Sequence, residues 1–157
     1  EDVYDLVGGP DTSAIGMLLE ISGGVEGSIL LLASEKDSLG LSDIIQKKNL
    51  GDAADLGTMD KDALREMGNI LVGAYLTALS TLSGMNLIES TPKFVLDRAE
   101  NIGKFVEEKY KGKIRYVFVF ETILDVSKKE IREKIILVLT NESFDTLFNS
   151  MVENNLK

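Results

Sequence analysis

The pattern of hydrophobic and polar residues changes along the chain, and its apolar runs predict the strands. Apolar residues run almost unbroken through residues 14–21 and 28–33, and the segment SGGVEG lies between them. Three glycines in so short a segment are typical of a tight hairpin. A second pair of long strands is predicted at residues 114–126 and 133–140, joined by a charged loop. The pattern therefore predicts two antiparallel hairpins.

Apolar spacings of three and four residues predict helices between and after these strands. A short helix is predicted at residues 37–48, and a long one at residues 60–83 that ends at Gly84. A third helix, residues 97–110, is expected to bury three apolar side chains: Ile102, Phe105 and Val106. A last helix, capped by Asn141, carries an apolar stripe: Phe144, Leu147, Phe148, Met151 and Val152.

The remaining segments read as extended chain or loop. Residues 3–10 end in the turn signal GGP, and residues 86–96 form an extended segment. Pro92 places that second segment at a sheet edge or at a bend, because proline cannot donate to a strand ladder.

The two halves of the chain share one outline of strand, hairpin, apolar strand, polar cap and amphipathic helix. SILLLAS in the first half aligns with KIILVLT in the second. A duplicated unit and two hairpins that are merely alike both remain possible. We predict an α+β fold of two layers, a largely antiparallel sheet with long helices on one face, built as a pseudo-symmetric duplicated unit. Residues 1–157 would be a single domain, with 1–50 a partial first repeat and 58–157 a complete second one.

Composition restricts the chemistry. The 157 residues include no cysteine and no histidine, which removes thiolate nucleophiles, Ser-His-Asp triads and most zinc sites. A net charge of −9 argues against a nucleic-acid partner. No apolar run is long enough for a membrane helix and no signal peptide is visible, so a cytoplasmic protein is expected. No acidic cluster has the spacing of a calcium loop, and no bound metal is predicted.

The long helix carries polar residues where a merely stable helix would not need them. Its predicted core stripe consists of Leu64, Met67, Leu71, Tyr75, Ala78 and Leu82. Almost opposite lie Asp62, Glu66, Asn69, Gly73, Thr77 and Ser80. Glycine costs a helix about 1 kcal/mol relative to alanine, so Gly73 is expected to give a partner's backbone room beside Asn69. Gly68 has the same use, or allows packing against a neighbouring helix.

Four of these residues form a spaced motif. Three residues separate Asp62 from Glu66, two separate Glu66 from Asn69, and twenty-two separate Asn69 from Pro92. This pattern resembles the motif of the CheC/CheX/FliY family, phosphatases of the chemotaxis response regulator CheY. ALREMGNILVGAYLTALS resembles the second motif helix of CheC, and GGVEGSILLLA resembles the glycine-rich hairpin of CheC and CheX. In CheC a first motif helix precedes the first unit; this sequence lacks it, so the core beneath that helix is expected to be exposed.

The resemblance implies an activity and a set of roles. Asn69 positions the water that attacks the aspartyl phosphate of CheY, and Glu66 pairs with the active-site lysine of CheY. Asp62 and Gly73 border the surface that binds the substrate protein, and Pro92 sets the bend after the motif helix. No cofactor is expected on this chain, since Mg²⁺ belongs to CheY. The helix near Asp97 resembles the docking surface of CheC for the deamidase CheD.

Two alternatives to a CheC-type enzyme stay open. The chain could be a binding module that holds CheD or phosphorylated CheY with little turnover, or a CheX-type phosphatase that works as a dimer. Its oligomeric state does not follow from the sequence.

Overall fold

Six antiparallel strands and four α-helices make up the computed structural model, which describes residues 2–52, 54–114, 116–126 and 128–156. The strands are β1 (Ser13–Ser22), β2 (Gly27–Ser34), β3 (Ile88–Glu89), β4 (Lys93–Arg98), β5 (Val117–Val126) and β6 (Lys129–Leu139). The helices are α1 (Glu35–Ile45), α2 (Thr58–Ser83), α3 (Ala99–Lys109) and α4 (Asn141–Asn155). A short 3-10 helix, Val3–Val7, precedes them where an extended segment or loop was predicted.

The sheet has the strand order β3-β1-β2-β6-β5, and β4 pairs with β1 beyond the end of β3. Every pairing is antiparallel. The predicted hairpins are β1–β2 and β5–β6, and they meet through the pairing of β2 with β6. The predicted largely antiparallel α+β class is therefore confirmed.

Hydrophobic side chains lie on both faces of the sheet and form two cores. The face under α1, α2 and α4, called the α2 face below, contains Leu19, Ile29, Leu31 and Ile135. The opposite face, called the α3 face, contains Leu18, Leu30 and Ile136 under α3 and the 3-10 helix. The unbroken apolar runs of the central strands explain this result, because such strands must be covered on both faces. The long helices share one face as predicted, but the fold has three layers rather than two.

The two β-β-α units, β1-β2-α1 and β5-β6-α4, have similar local chemistry at their helix starts. The Ser34 hydroxyl accepts a hydrogen bond from the Asp37 amide (3.1 Å), and the Thr140 hydroxyl accepts one from the Ser143 amide (3.3 Å). Thr140, not the predicted Asn141, is thus the N-cap of α4. The duplication of the unit stays a prediction.

The buried residues of α3 are Ala99, Ile102, Gly103 and Val106, while Phe105 is 52% exposed. The 3-10 helix explains this difference from the prediction. Val3 and Tyr4 lie against Gly103, so the buried stripe of α3 is turned toward Gly103 and away from Phe105.

The edge strand β5 is the least covered part of the sheet. Among its apolar side chains only Val126 is half-buried, and the other six are at least 39% exposed: Val117, Phe118, Val119, Phe120, Ile123 and Leu124. On the α2 face, Phe118 and Phe120 border an apolar groove of about 240 Å³ with Phe148 of α4, which is also exposed. In the described part of the chain, no helix has the length and apolar character needed to cross a bilayer.

Candidate functional site on helix α2

The first turn of α2 is fixed by Asp60. Its buried carboxylate accepts hydrogen bonds from the Ser42 hydroxyl (2.8 Å), the Gln46 amide (2.6 Å) and the Gly57 backbone N–H (2.9 Å). The Ser42 hydroxyl, with the bonds from Gln46 and Gly57, lowers the pKa of Asp60 from 3.8 to about 2. These bonds join the start of α2 to the end of α1, and so set where the motif begins.

We expect Asp60→Asn to lower the free energy of unfolding by about 1–3 kcal/mol at pH 7, because an amide cannot replace a carboxylate that accepts from four groups, the Lys48 ammonium (3.5 Å) among them. Since folding lowers the pKa of Asp60, its contribution is present above about pH 4 and is lost as the pH falls toward about 2. Urea unfolding of both proteins at pH 7 and pH 3 measures this. An equal difference at the two pH values would contradict the assigned role.

Packing of α2 on the sheet centres on a glycine. Leu64, Gly68, Val72 and Leu76 form the buried stripe of the helix. A Cβ atom on Gly68 would lie 3.0 Å from side-chain atoms of Met17 and Leu31, so Gly68 lets α2 approach β1 and β2 closely. Of the two uses predicted for Gly68, packing is the one observed, although its neighbour is the sheet and not a helix.

The buried stripe shares only Leu64 with the predicted one, because Met67, Leu71 and Tyr75 are half-buried beside it. Ala78 is exposed, and Leu82 is 43% exposed. The stripe advances in steps of four residues around Gly68, so its later turns rotate away from the predicted line. Gly84 ends the helix in the left-handed conformation (φ 71°), as the sequence indicated.

Glu66 and Asn69 are both exposed on α2. Residues three apart on a helix are surface neighbours, with Cβ atoms about 5–6 Å apart. Between Asp62 and Thr77, the side-chain hydrogen bonds among the described residues are donated by Arg65 to Asp62 and by Thr77 to the Gly73 carbonyl, and none involves Glu66 or Asn69. The carboxylate of Glu66 and the amide of Asn69 are therefore available to a visiting group.

Asp62 lies one turn before Glu66 and forms an exposed ion pair with Arg65 (3.0 Å). The Arg65 guanidinium in turn lies over the ring of Phe94, 5.1 Å from its centroid. Asp62 thus orients a cation that joins α2 to β4. Its predicted contact with the substrate protein stays a prediction.

Gly73 lies one turn beyond Asn69 and is half-buried beside β3. A Cβ atom at Gly73 would be 3.5 Å from Oε1 of Glu89, which is an ordinary contact distance. The Ser80 hydroxyl accepts a hydrogen bond from the Leu87 amide (3.1 Å) and so ties the end of α2 to the chain entering β3. The motif side of the helix therefore borders β3 instead of pointing directly away from the core.

Pro92 lies in a break between β3 and β4. Ile21 pairs with Glu89, and Leu18 pairs with Lys93, so two residues of β1 face three residues of the other strand. This local excess is a bulge, and proline is tolerated there because it has no N–H to donate. The bend predicted at Pro92 stays a prediction.

Asp97 is separate from the motif. It pairs with Ala14, whose side chain belongs to the α3 face, so Asp97 lies on that face of the sheet. Hydrogen bonds from the Asn101 side chain (2.8 Å) and the Arg98 amide (2.7 Å) lower the pKa of Asp97. Beside it runs a groove of about 250 Å³ whose lining includes Val95 and Phe105. The structure thus brings Asp62, Glu66, Asn69 and Gly73 together and leaves Asp97 apart.

Three residues near the motif were not predicted from the sequence. Arg65 and Glu89 border Asp62 and Gly73, and Ile70, next to Asn69, is 66% exposed. An apolar side chain so exposed on the motif helix was a readable signal, since it breaks the amphipathic pattern. Glu89 had a weaker signal, its position three residues before Pro92.

Comparison with proteins of known structure and function shows which class of protein shares this fold and this motif helix. The structure of Thermotoga maritima FliY superposes with a TM-score of 0.74 at 18% identity, covering 98% of this chain and 78% of FliY. A chain in the structure of the CheX–CheY–BeF3–Mg complex from Borrelia burgdorferi gives a TM-score of 0.56 at 16% identity, covering 88% of this chain and 90% of that one. At such identities these likenesses show the fold.

Sequence comparison is more specific. The model of the CheC-like family matches residues 59–96, which span the whole motif from Asp62 to Pro92. The CheY-P phosphatase CheC of Bacillus subtilis is 29% identical over 153 residues, which cover 94% of this chain and 73% of that protein. The resemblance to the CheC/CheX/FliY family that the motif indicated is thereby confirmed.

Proposed function

We propose that this protein is a chemotaxis phosphatase that hydrolyses the aspartyl phosphate of CheY, with Asn69 and Glu66 as its working residues. The observation that carries the proposal is that both side chains project from α2 into solvent without partners in the described structure. The matched relative CheC is itself named a CheY-P phosphatase, which supports the same substrate here.

The reaction needs little chemistry from this chain. Water attacks phosphorus, a new P–O bond forms, and the bond to the aspartate oxygen breaks, leaving its electron pair on the carboxylate. The protons of the water stay with the phosphate released. Because the acyl phosphate is already labile, the phosphatase contributes mainly by holding the water in line with the breaking bond. Mg²⁺, which stabilises phosphoryl charge, is expected on CheY.

Asn69 suits the positioning task. Its amide oxygen accepts a hydrogen bond from the attacking water, and its amide nitrogen donates to a neighbouring oxygen. An exposed amide on a regular helix has a fixed backbone, so only its side-chain torsions need ordering when CheY docks. Ile70, beside it, supplies apolar contact area at the edge of the same interface.

Glu66 acts by docking. Its carboxylate pairs with the active-site lysine of CheY, and the interface partly removes water from the pair, which strengthens it relative to an exposed one. We expect Glu66→Ala to weaken binding to phosphorylated CheY about tenfold, since the loss of a partly desolvated ion pair costs more than that of a surface pair. Titration with CheY held in a phosphorylated-like state measures this.

A second variant tests whether the negative charge of Glu66 causes the expected loss of binding. Glu66→Gln keeps the size of the side chain but not its charge, so it should share most of the loss. Affinity and hydrolysis rate that both remain at the level of the parent protein would remove Glu66 from the interface.

CheD is proposed as a second partner, docking on α3 beside Asp97. The apolar groove between α3 and β4 and the exposed Phe105 support this site. Because Asp97 and the motif lie on different faces of the sheet, CheD and CheY could bind together. A phosphate-release assay with phosphorylated CheY, with and without CheD, tests both partners. Tight binding without phosphate release would instead identify an adaptor.

A further inference from the structure

A second carboxylate, that of Glu89, lies beside the motif. Glu89 pairs with Ile21 in the sheet, and residues directly opposite in an antiparallel pair point to the same face. Ile21 belongs to the core of the α2 face, so Glu89 also points toward α2. Its Oε1 atom reaches the helix surface at Gly73, 3.5 Å from where a Cβ atom would stand.

This contact places Asn69 between two acidic side chains along the helix. Glu66 is three residues before Asn69, and Gly73, over which the Glu89 carboxylate lies, is four residues after it. Five glutamates among the described residues are paired with lysines or arginines: Glu20, Glu26, Glu100, Glu121 and Glu130. Glu66 and Glu89 form no such ion pair with any described residue. They are free carboxylates on either side of an exposed amide.

The strand that presents Glu89 is fixed at both ends. Before it, the Leu87 amide donates to the Ser80 hydroxyl of α2 (3.1 Å). After it, the Ser90 amide donates to the Glu20 carbonyl (2.9 Å), and the Ser90 hydroxyl accepts from the Glu20 amide (2.9 Å). The position of Glu89 relative to α2 therefore does not depend on a mobile loop.

We propose that Glu89 is a second docking carboxylate of this site, which pairs with a cationic side chain at the rim of the partner's phosphorylation site. The inference rests on the proposed function. A carboxylate repels the phosphoryl group, so Glu89 acts on surrounding cations and not on phosphorus. Gly73 is part of the same arrangement, because a longer side chain there would displace the Glu89 carboxylate from the motif.

Glu89→Gln, which keeps size and removes charge, tests the proposal in steady-state hydrolysis of phosphorylated CheY. We expect KM to rise about three- to fivefold with kcat changed less than twofold, because a half-exposed ion pair contributes to binding and not to the chemical step. Raising the ionic strength should weaken the binding of phosphorylated CheY to the parent protein more than its binding to the variant. Glu89→Lys should raise KM further. Glu153→Gln, an exposed carboxylate on α4, is the matched control and should leave KM unchanged.

The possible outcomes distinguish a failure of the proposed role of Glu89 from a failure of the proposed phosphatase function. An active parent, an inactive Asn69→Ala variant and an unchanged KM and salt dependence in Glu89→Gln would overturn the role of Glu89 alone. A loss confined to kcat, or a lowered melting temperature with unchanged KM, would also overturn it. A parent protein that releases no phosphate from CheY would overturn the proposed function, and the role of Glu89 with it.

Discussion

Asn69→Ala is expected to slow the dephosphorylation of CheY by about 100-fold or more, because the attacking water loses the group that orients it. The fold should be unaffected, since Asn69 is exposed and alanine is the better helix former. The measurement is the rate of phosphate release from phosphorylated CheY, together with the circular dichroism and melting temperature of the variant.

Two further variants define the cause of this loss. Asn149→Ala changes an exposed asparagine on α4 and should have no effect on the rate. Asn69→Gln retains the amide one methylene further out and should recover only part of the activity. A well-folded Asn69→Ala protein with the parent's rate would exclude Asn69 from the mechanism.

Glu133→Gln is expected to stabilise the protein above neutral pH. Glu133 lies on β6 opposite Thr122 of β5, between Ile131 and Ile135 on the α2 face, and is only 7% exposed. Burial raises the pKa of its carboxyl from 4.5 to about 7. The folded state therefore holds a proton that the unfolded state releases, and stability falls as the pH rises from about 4.5 to about 7.

The expected gain for Glu133→Gln is about 3 kcal/mol at pH 8, because each tenfold change in proton affinity corresponds to about 1.4 kcal/mol. At pH 5 the gain should fall below about 1 kcal/mol, since the folded parent is then protonated and neutral. Urea unfolding at the two pH values provides the test. Glu108→Gln, an exposed carboxylate on α3, should show no such pH dependence. A gain at pH 5 as large as that at pH 8 would indicate a steric cause.

The strands and long helices were predictable because their signals are local. Residues 14–21 and 28–33 lie within β1 and β2, and the predicted helix 60–83 differs from α2 by two residues. The third layer was not foreseen, since an amphipathic pattern shows that a helix has a buried side but not which face of a sheet it covers. Phe105 and Leu82 were misplaced for a related reason: the rotation of each helix depends on a glycine contact with a distant element.

The candidate site was predictable as far as it lies on one helix. Helical spacing alone places Glu66 and Asn69 together on the surface, and the exposed positions of both agree with it. Glu89 could not be found this way, because its approach to Gly73 depends on the register of β3 against β1 and on the bulge at Pro92. The functional roles of Glu66, Asn69 and Asp97 remain predictions.

The close seat of α2 over Met17 and Leu31, made possible by Gly68, has a consequence for molecular recognition. A helix held this tightly against a sheet is a preorganised platform, and the groups it displays need little further ordering when a visitor arrives. Binding then costs almost no backbone entropy on this side of the complex. Few contacts are therefore enough to fix the orientation of the partner, and the complex can remain weak and exchange quickly.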